Sequence, residues 1–328
     1  MRRRSVKTPG FITVLVLCIV VIISVVLVAF SRRVQAFILS TESLKHSLQA
    51  EANAQAGLNI ALAMIKNDPN NIRQFYNSAD SKNLLDLQNG QCQLIIQPEN
   101  SKINLNKLID ENGRPNEPVI NHLARLIRII NDERIINPID YSVIPNVVDW
   151  IDPDEDITKL ALHGRTFTGA ESDYYLRQPL SYKAKNAPLS TTKELLYIKG
   201  FSNSILSELS PYITIRGCGK IDINSAPTKV LKSMSDKIFE DVVEEIIARR
   251  NLEPFSSICQ LKEVPGITDE VFSTVSDRIT VEPEEIFYRI TSKGTVGDYK
   301  KTLTVTVAAQ KNGERTDLKI IEYDERNY

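Results

Sequence analysis

Residues Phe11 to Phe30 form an apolar run broken only by Thr13 and Ser24. At about 1.5 Å per residue, a helical run of this length spans the roughly 30 Å of a bilayer core. The pattern predicts a membrane helix. Beyond it, Val34, Phe37, Ile38, Leu44, Leu48, Leu58, Leu62 and Ile65 keep mostly three- and four-residue steps up to Asp68-Pro69, the spacing of a single apolar helical face. The expectation is one rod from Phe11 to about Lys66, apolar all round at first and then one-faced, with Gly57 as its weak point.

Two stretches alternate with the period of strands, Gln91 to Gln97 and Ile286 to Tyr323, the second with turn cues at Gly294–Asp298 and at Asn312-Gly313. They predict an antiparallel sheet assembled from both ends of the chain and packed on the rod, an α+β arrangement. Residues 34–108 are then the stem and first strands, residues 282–328 complete the sheet, and 109–281 form a large inserted helical domain.

That insert repeats itself. Leu189–Ile215 and Phe255–Val281 align without gaps at an offset of 66, sharing Ser190 with Ser256, Leu195 with Leu261, Gly200 with Gly266 and Thr214 with Thr280. A shorter echo pairs Lys102–Asn106 with Lys220–Asn224. In each long copy a helix ends at glycine and a second starts at an N-cap residue, Ser202 or Thr268, which predicts two helix-hairpin-helix, SAM-like units.

Charge changes the picture at three places. Arg2, Arg3, Arg4 and Lys7 precede the membrane run against Arg32 and Arg33 behind it, which puts the short tail in the cytoplasm and the rest outside. A cleaved secretory signal ending near Ala29-Phe30-Ser31 is the competing reading, but its apolar core would be longer than is usual. Over the whole chain, 40 basic residues meet 41 acidic ones, so no global field holds a polyanion. Hairpins of this type often grip DNA phosphates, which makes a membrane-tethered DNA receptor the alternative. The second copy sets Lys262 and Arg278 against Glu263, Asp269, Glu270 and Asp277, and this balance favours packing or protein binding.

The third place is Asp149–Tyr175, where Asp149, Asp152, Asp154, Glu155 and Asp156 crowd together and Glu171 and Asp173 return after a loop. Such carboxylates repel unless a cation or basic groups offset them, and calcium takes hard oxygens from flexible loops. A calcium site and a solvated acidic loop both fit this spacing. An EF-hand does not, since Ile157 stands at its sixth place and His163 at its twelfth. The histidines His46, His122 and His163 are scattered, no glycine-rich phosphate loop is present, and an enzyme is not expected. Cys92, Cys218 and Cys259 match no zinc pattern and leave one disulfide or none, while Cys18 lies in the apolar run.

A half-embedded, half-packed stem resembles that of type IV pilins and pseudopilins. A short basic segment ending in Gly10 before Phe11 resembles a prepilin peptidase site, which implies cleavage there and methylation of the Phe11 amine. Those proteins usually carry glutamate at the fifth mature position; here it is Leu15, as in the K-type minor pseudopilin of type II secretion. Asp149-Trp150-Ile151-Asp152-Pro153-Asp154, Gly169-Ala170-Glu171, Tyr175, Asn186-Ala187-Pro188-Leu189, Glu194-Leu195 and Asn224-Ser225-Ala226-Pro227 follow the pattern of that family in order.

The resemblance implies a pilin-like fold, a single-pass inner-membrane anchor with the C-terminal part in the periplasm, and a place at the pseudopilus tip. It implies calcium held among Asp149, Asp152, Asp154, Glu171 and Asp173, with Asp152, Asp154 and Glu171 foremost. The implied partners are the I- and J-type minor pseudopilins, the major pseudopilin, prepilin peptidase and the membrane, with no nucleic acid. Leu15, Leu44 and Leu48 are the stem positions expected to meet neighbouring subunits.

Overall fold

The computed structural model describes residues 9–67, 83–87, 90–134, 136–312 and 315–327. Most of the expected leader, the Asp68-Pro69 helix stop and Gly313 of the Asn-Gly turn lie outside the described residues. Helix α1 (Pro9–Asn67) is continuous, as the hydrophobic pattern predicts. Its apolar residues from Phe11 to Leu39 stand exposed, whereas Ala50, Ala54, Leu58, Ala61 and Ile65 are buried. Steps of three and four put those five on one face, and that face lies on a sheet.

In chain order, β1 (Leu84–Leu87) and β2 (Gly90–Pro98) lead into β3 (Ile103–Asn104), α2 (Glu117–Glu133), α3 (Val143–Ile151), the hairpin of β4 (Lys159–Leu162) and β5 (Arg165–Thr168), and α4 (Ser172–Leu176). Next come α5 (Asn203–Leu209), β6 (Ile213–Thr214), β7 (Ile221–Asp222), α6 (Thr228–Lys232), α7 (Glu240–Leu252), α8 (Asp269–Val275) and β8 (Ile279–Thr280). The chain closes with β9 (Ile286–Val296), β10 (Tyr299–Asn312) and β11 (Arg315–Asn327). The sheet runs β1-β2-β9-β10-β11, all antiparallel, so both ends of the chain build it. Register places Ile96 beside Ile290 and Ile290 beside Val305. Alternation turns these toward Leu58 and Ile65 of α1 and leaves a threonine-rich opposite face.

Helix and sheet approach closely because small residues line the contact. A Cβ at Gly294 would overlap the backbone of Ala50, and Ser292 Oγ donates to Ala54 O at 2.7 Å. Gly57, read from propensity as a weak point, is where the stem touches Cys92.

The helical body begins earlier than the expected boundary at 109. Ile103, Leu105 and Leu108 pack in the core it shares with Leu126, Val148, Leu195 and Val275, so residues assigned to the sheet unit belong to the insert. The junction is polar and buried. Glu99 Oε1 pairs with Lys102 Nζ at 2.7 Å and with Arg289 Nε at 3.2 Å, while Thr214 Oγ1 donates to Glu99 Oε2 at 2.5 Å. One carboxylate thereby ties the strand leaving the sheet, the strand re-entering it and the end of the first repeat.

Both repeats form as the offset predicts. Thr191 with Glu194, and Ser257 with Gln260, make capping boxes at the start of the two hairpins. Ser202 and Thr268 cap the second helices through Ile205 N and Val271 N. Gly200 and Gly266 turn the corners at φ +88° and +89°, a conformation that favours glycine. Each unit is closed by a two-residue parallel ladder, β3 with β6 and β7 with β8. The start offset of 118 exceeds the end offset of 66, so the first copy carries 52 additional residues, and these hold the acidic segment.

Candidate metal centre

Asp149 sits on the last turn of α3, and Asp152 caps that helix, which ends where Pro153 disfavours further helical turns. The chain then loops through the β4–β5 hairpin and returns across Asp149. Gly169 N donates to Thr158 O at 2.9 Å, and Thr158 N donates to Asp149 Oδ1 at 2.9 Å. A Cβ at Gly169 would overlap the Asp149 carboxylate. Glycine there is what lets Glu171, two residues on, reach the site as the N-cap of α4.

Asp149, Asp152 and Glu171 are all buried, and one oxygen of each lies within 4.8 Å of the others. Among the described residues, Asp149 Oδ2, Asp152 Oδ1 and both oxygens of Glu171 have no hydrogen-bond partner. Burial first, then repulsion from Asp154 on Asp149, from Asp149, Asp154 and Glu155 on Asp152, and from Asp149, Asp152 and Glu155 on Glu171, pushes the three carboxyls up to about 6, about 7 and about 8 respectively. Unpaired buried carboxylates are costly, and a hard cation offsets that cost directly. The orphaned oxygens therefore fit a calcium ion.

Two expected ligands stand outside this trio. Asp154 is exposed and accepts from Asp156 N at 2.9 Å, folding its carboxylate onto its own loop. Asp173, with 88% of its side chain exposed, faces Arg177 at 3.9 Å across one helical turn. Asn186 and Ser172 are the residues that spacing did not single out. Asn186 Nδ2 donates to Asp154 O at 2.6 Å, and Ser172 Oγ to Glu155 Oε1 at 3.1 Å, pinning the loop beside the trio. The Asn186-Ala187-Pro188 motif was the sequence signal for Asn186. Trp150 is a core anchor as well, its ring edge-on to Tyr175 at 5.2 Å.

The remaining candidates lie apart. Leu15, Leu44 and Leu48 are 50%, 60% and 56% exposed along α1, Gly10 lies in its first turn and Phe11 is exposed. His46 is on α1, His122 on α2 and His163 in the β4–β5 turn, so the histidines do not converge. All four cysteines are free, Cys92 buried and Cys18, Cys218 and Cys259 exposed.

Residues 101–217 match the family model described as type II secretion system protein K, and residues 217–280 match the helix-hairpin-helix motif. The type II secretion system protein K of Pseudomonas aeruginosa is 23% identical over 327 residues, covering 95% of this chain and 91% of that one. The fold resembles a chain in the crystal structure of the GspK-GspI-GspJ complex from the enterotoxigenic Escherichia coli type 2 secretion system. There the TM-score is 0.57 at 16% identity, with 90% of this chain and 100% of that chain covered. Match, motif order and fold agree in one direction: the chain is similar to type II secretion system protein K along nearly its whole length.

Proposed function

We propose that this chain is a non-enzymatic minor pseudopilin at the tip of a type II secretion pseudopilus. It is anchored in the inner membrane by the first half of α1, with its N-terminus cytoplasmic and its folded body in the periplasm. Prepilin peptidase frees the Phe11 amine. Leu15, Leu44 and Leu48 then meet I- and J-type minor pseudopilins and the major pseudopilin below. The observation that carries this reading is the division of α1, apolar from Phe11 to Phe30, bare to Leu39 and packed on the sheet from Ala50. Such a helix holds a folded head on a lipid-borne stalk. The insert from Ile103 to Val281 adds bulk that would obstruct another subunit stacking above.

Calcium held by Asp149, Asp152 and Glu171 supports the head. When bound, it would offset most of the charge of the three buried carboxylates and fix the loop between α3 and α4. DNA binding is the weaker reading, because the second hairpin spends its cations internally. Lys262 pairs with Asp269 at 3.0 Å, and Arg278 donates to Met234 O at 3.0 Å.

The test replaces residues 103–281 by a short linker in cells that depend on this chain for export. Membrane insertion should persist, the mature terminus should read as methylated Phe11 by mass spectrometry, and export should fail. Normal export by the truncated chain removes the tip role.

A further inference from the structure

Helices α3 and α4 meet at the carboxylate trio, and together they also hold one corner of the first hairpin. Asn146, three residues before Asp149, donates from Nδ2 to Lys199 O at 2.9 Å. Tyr175, four residues after Glu171, accepts from Lys199 N at 3.3 Å through its hydroxyl. The two backbone groups of Lys199 are thus held one by each helix that carries trio carboxylates. Asn146 and Tyr175 are both 0% exposed, so neither hydrogen bond exchanges readily with water. The next residue, Gly200, turns the corner against Val143 of α3.

We propose that cation occupancy of the trio is read out at Lys199, so that the site governs how firmly the first hairpin is held as well as the fold of its own loop. The inference rests on the calcium reading above. With the trio empty, its buried oxygens have no common partner between α3 and α4; a cation shared by carboxylates on both draws the two helix ends together. Lys199 is gripped from both sides only when α3 and α4 are correctly spaced, which gives one ligand a differential effect on two arrangements of the hairpin.

The second repeat supplies an internal contrast. Its residue at the place of Lys199 is Pro265, which has no N–H to donate. Its glycine corner packs on Val242 of α7, a helix that carries no member of the trio. Only the first hairpin is wired to the carboxylates. That hairpin also reaches the pilin-like sheet, through Lys193 Nζ and Asp324 Oδ1 at 2.7 Å. A firmer hairpin therefore means a firmer seat of the helical body on the sheet.

Hydrogen exchange of the detergent-solubilised full chain, in calcium chloride against chelator, tests this. In the wild type, calcium should slow exchange across residues 195–206 by about tenfold, within the usual range of coupling between two sites. Asp152→Asn should abolish that response. Tyr175→Phe keeps the ring packing and removes only the hydroxyl; alone or with Asn146→Ala, it should leave calcium binding heat intact and lose the slowing at 195–206. Calcium heat with protection confined to 149–173, or protection that survives Tyr175→Phe and Asn146→Ala together, overturns the coupling alone. If no calcium heat appears at all, the cation reading falls and the coupling with it.

Discussion

Asn106 and Asn224 perform the same task 118 residues apart. Asn106 Nδ2 donates to Leu189 O at 3.0 Å and Ile215 O at 3.1 Å, and its Oδ1 accepts from Leu189 N at 2.7 Å. Asn224 Nδ2 donates to Phe255 O at 2.9 Å and Val281 O at 3.3 Å, and its Oδ1 accepts from Phe255 N at 2.8 Å. Each amide clasps the first and last residues of its aligned repeat, satisfying backbone groups that no ladder reaches.

Replacing either asparagine by alanine strands donors and acceptors that are half-buried at Asn106 and mostly buried at Asn224, each costing about 1–3 kcal/mol when cut off from water. Chemical denaturation should therefore show a loss of roughly 3 kcal/mol for Asn106→Ala and a similar loss for Asn224→Ala. Equal effects support equivalent clasps. A silent Asn224→Ala would mean that the second ladder closes its repeat unaided.

Much of this architecture was legible because it is periodic. The stem follows from an apolar run and then a one-faced step; the repeats follow from a constant offset; the strands follow from alternation. The buried carboxylate trio was legible only as a neighbourhood. The family pattern put Asp154 foremost beside Asp152 and Glu171, with Asp149 and Asp173 behind them, and along the chain all five lie in the same acidic segment. What separates them is the C-terminal end of α3 and the return at Gly169, which turn three carboxylates inward and leave the others on the loop and on the outside of α4. The Glu99–Lys102 pair was invisible for a related reason. Two opposite charges three residues apart read as surface until β9 and β6 are laid over them.

Gly57 and Cys92 make a second relationship that propensity misreads. Within an isolated helix, alanine is better than glycine by about 1 kcal/mol. Here a Cβ at Gly57 would overlap Cys92 Sγ and crowd Ser292 Oγ, so Gly57→Ala should lower the melting temperature instead of raising it. Combining it with Cys92→Ala should recover part of the loss, since the overlapping sulfur is gone. A double-mutant cycle measures that recovery. Strict additivity would show that the stem shifts to make room.

Calcium should distinguish the buried trio from the remaining acids. Adding millimolar calcium chloride to the purified chain should raise its melting temperature by linkage. Asp152→Asn and Glu171→Gln should flatten that response, whereas Asp173→Asn, whose exposed carboxylate faces Arg177, should leave it unchanged. An Asp173→Asn variant as unresponsive as Asp152→Asn would place the ion elsewhere on the loop.

His122 gives the fold a pH dependence of known sign. It is buried on α2 with Nε2 3.0 Å from Val230 O. Burial, with Arg278 and Arg125 nearby, lowers it from its ordinary 6.5 to about 3. Below 6.5 the unfolded chain therefore takes up a proton that the folded chain refuses. The stability tied to His122 is full above that pH and is lost as pH falls toward 3, by at most about 1.4 kcal/mol per unit. The acidic trio contributes with the opposite sign, because its raised carboxyls favour the folded chain at low pH. Comparing wild type with His122→Gln cancels that contribution. The stability difference between the two should shrink steadily from pH 7 to pH 5 in denaturant titrations; a constant difference would mean that His122 accepts its proton inside the fold.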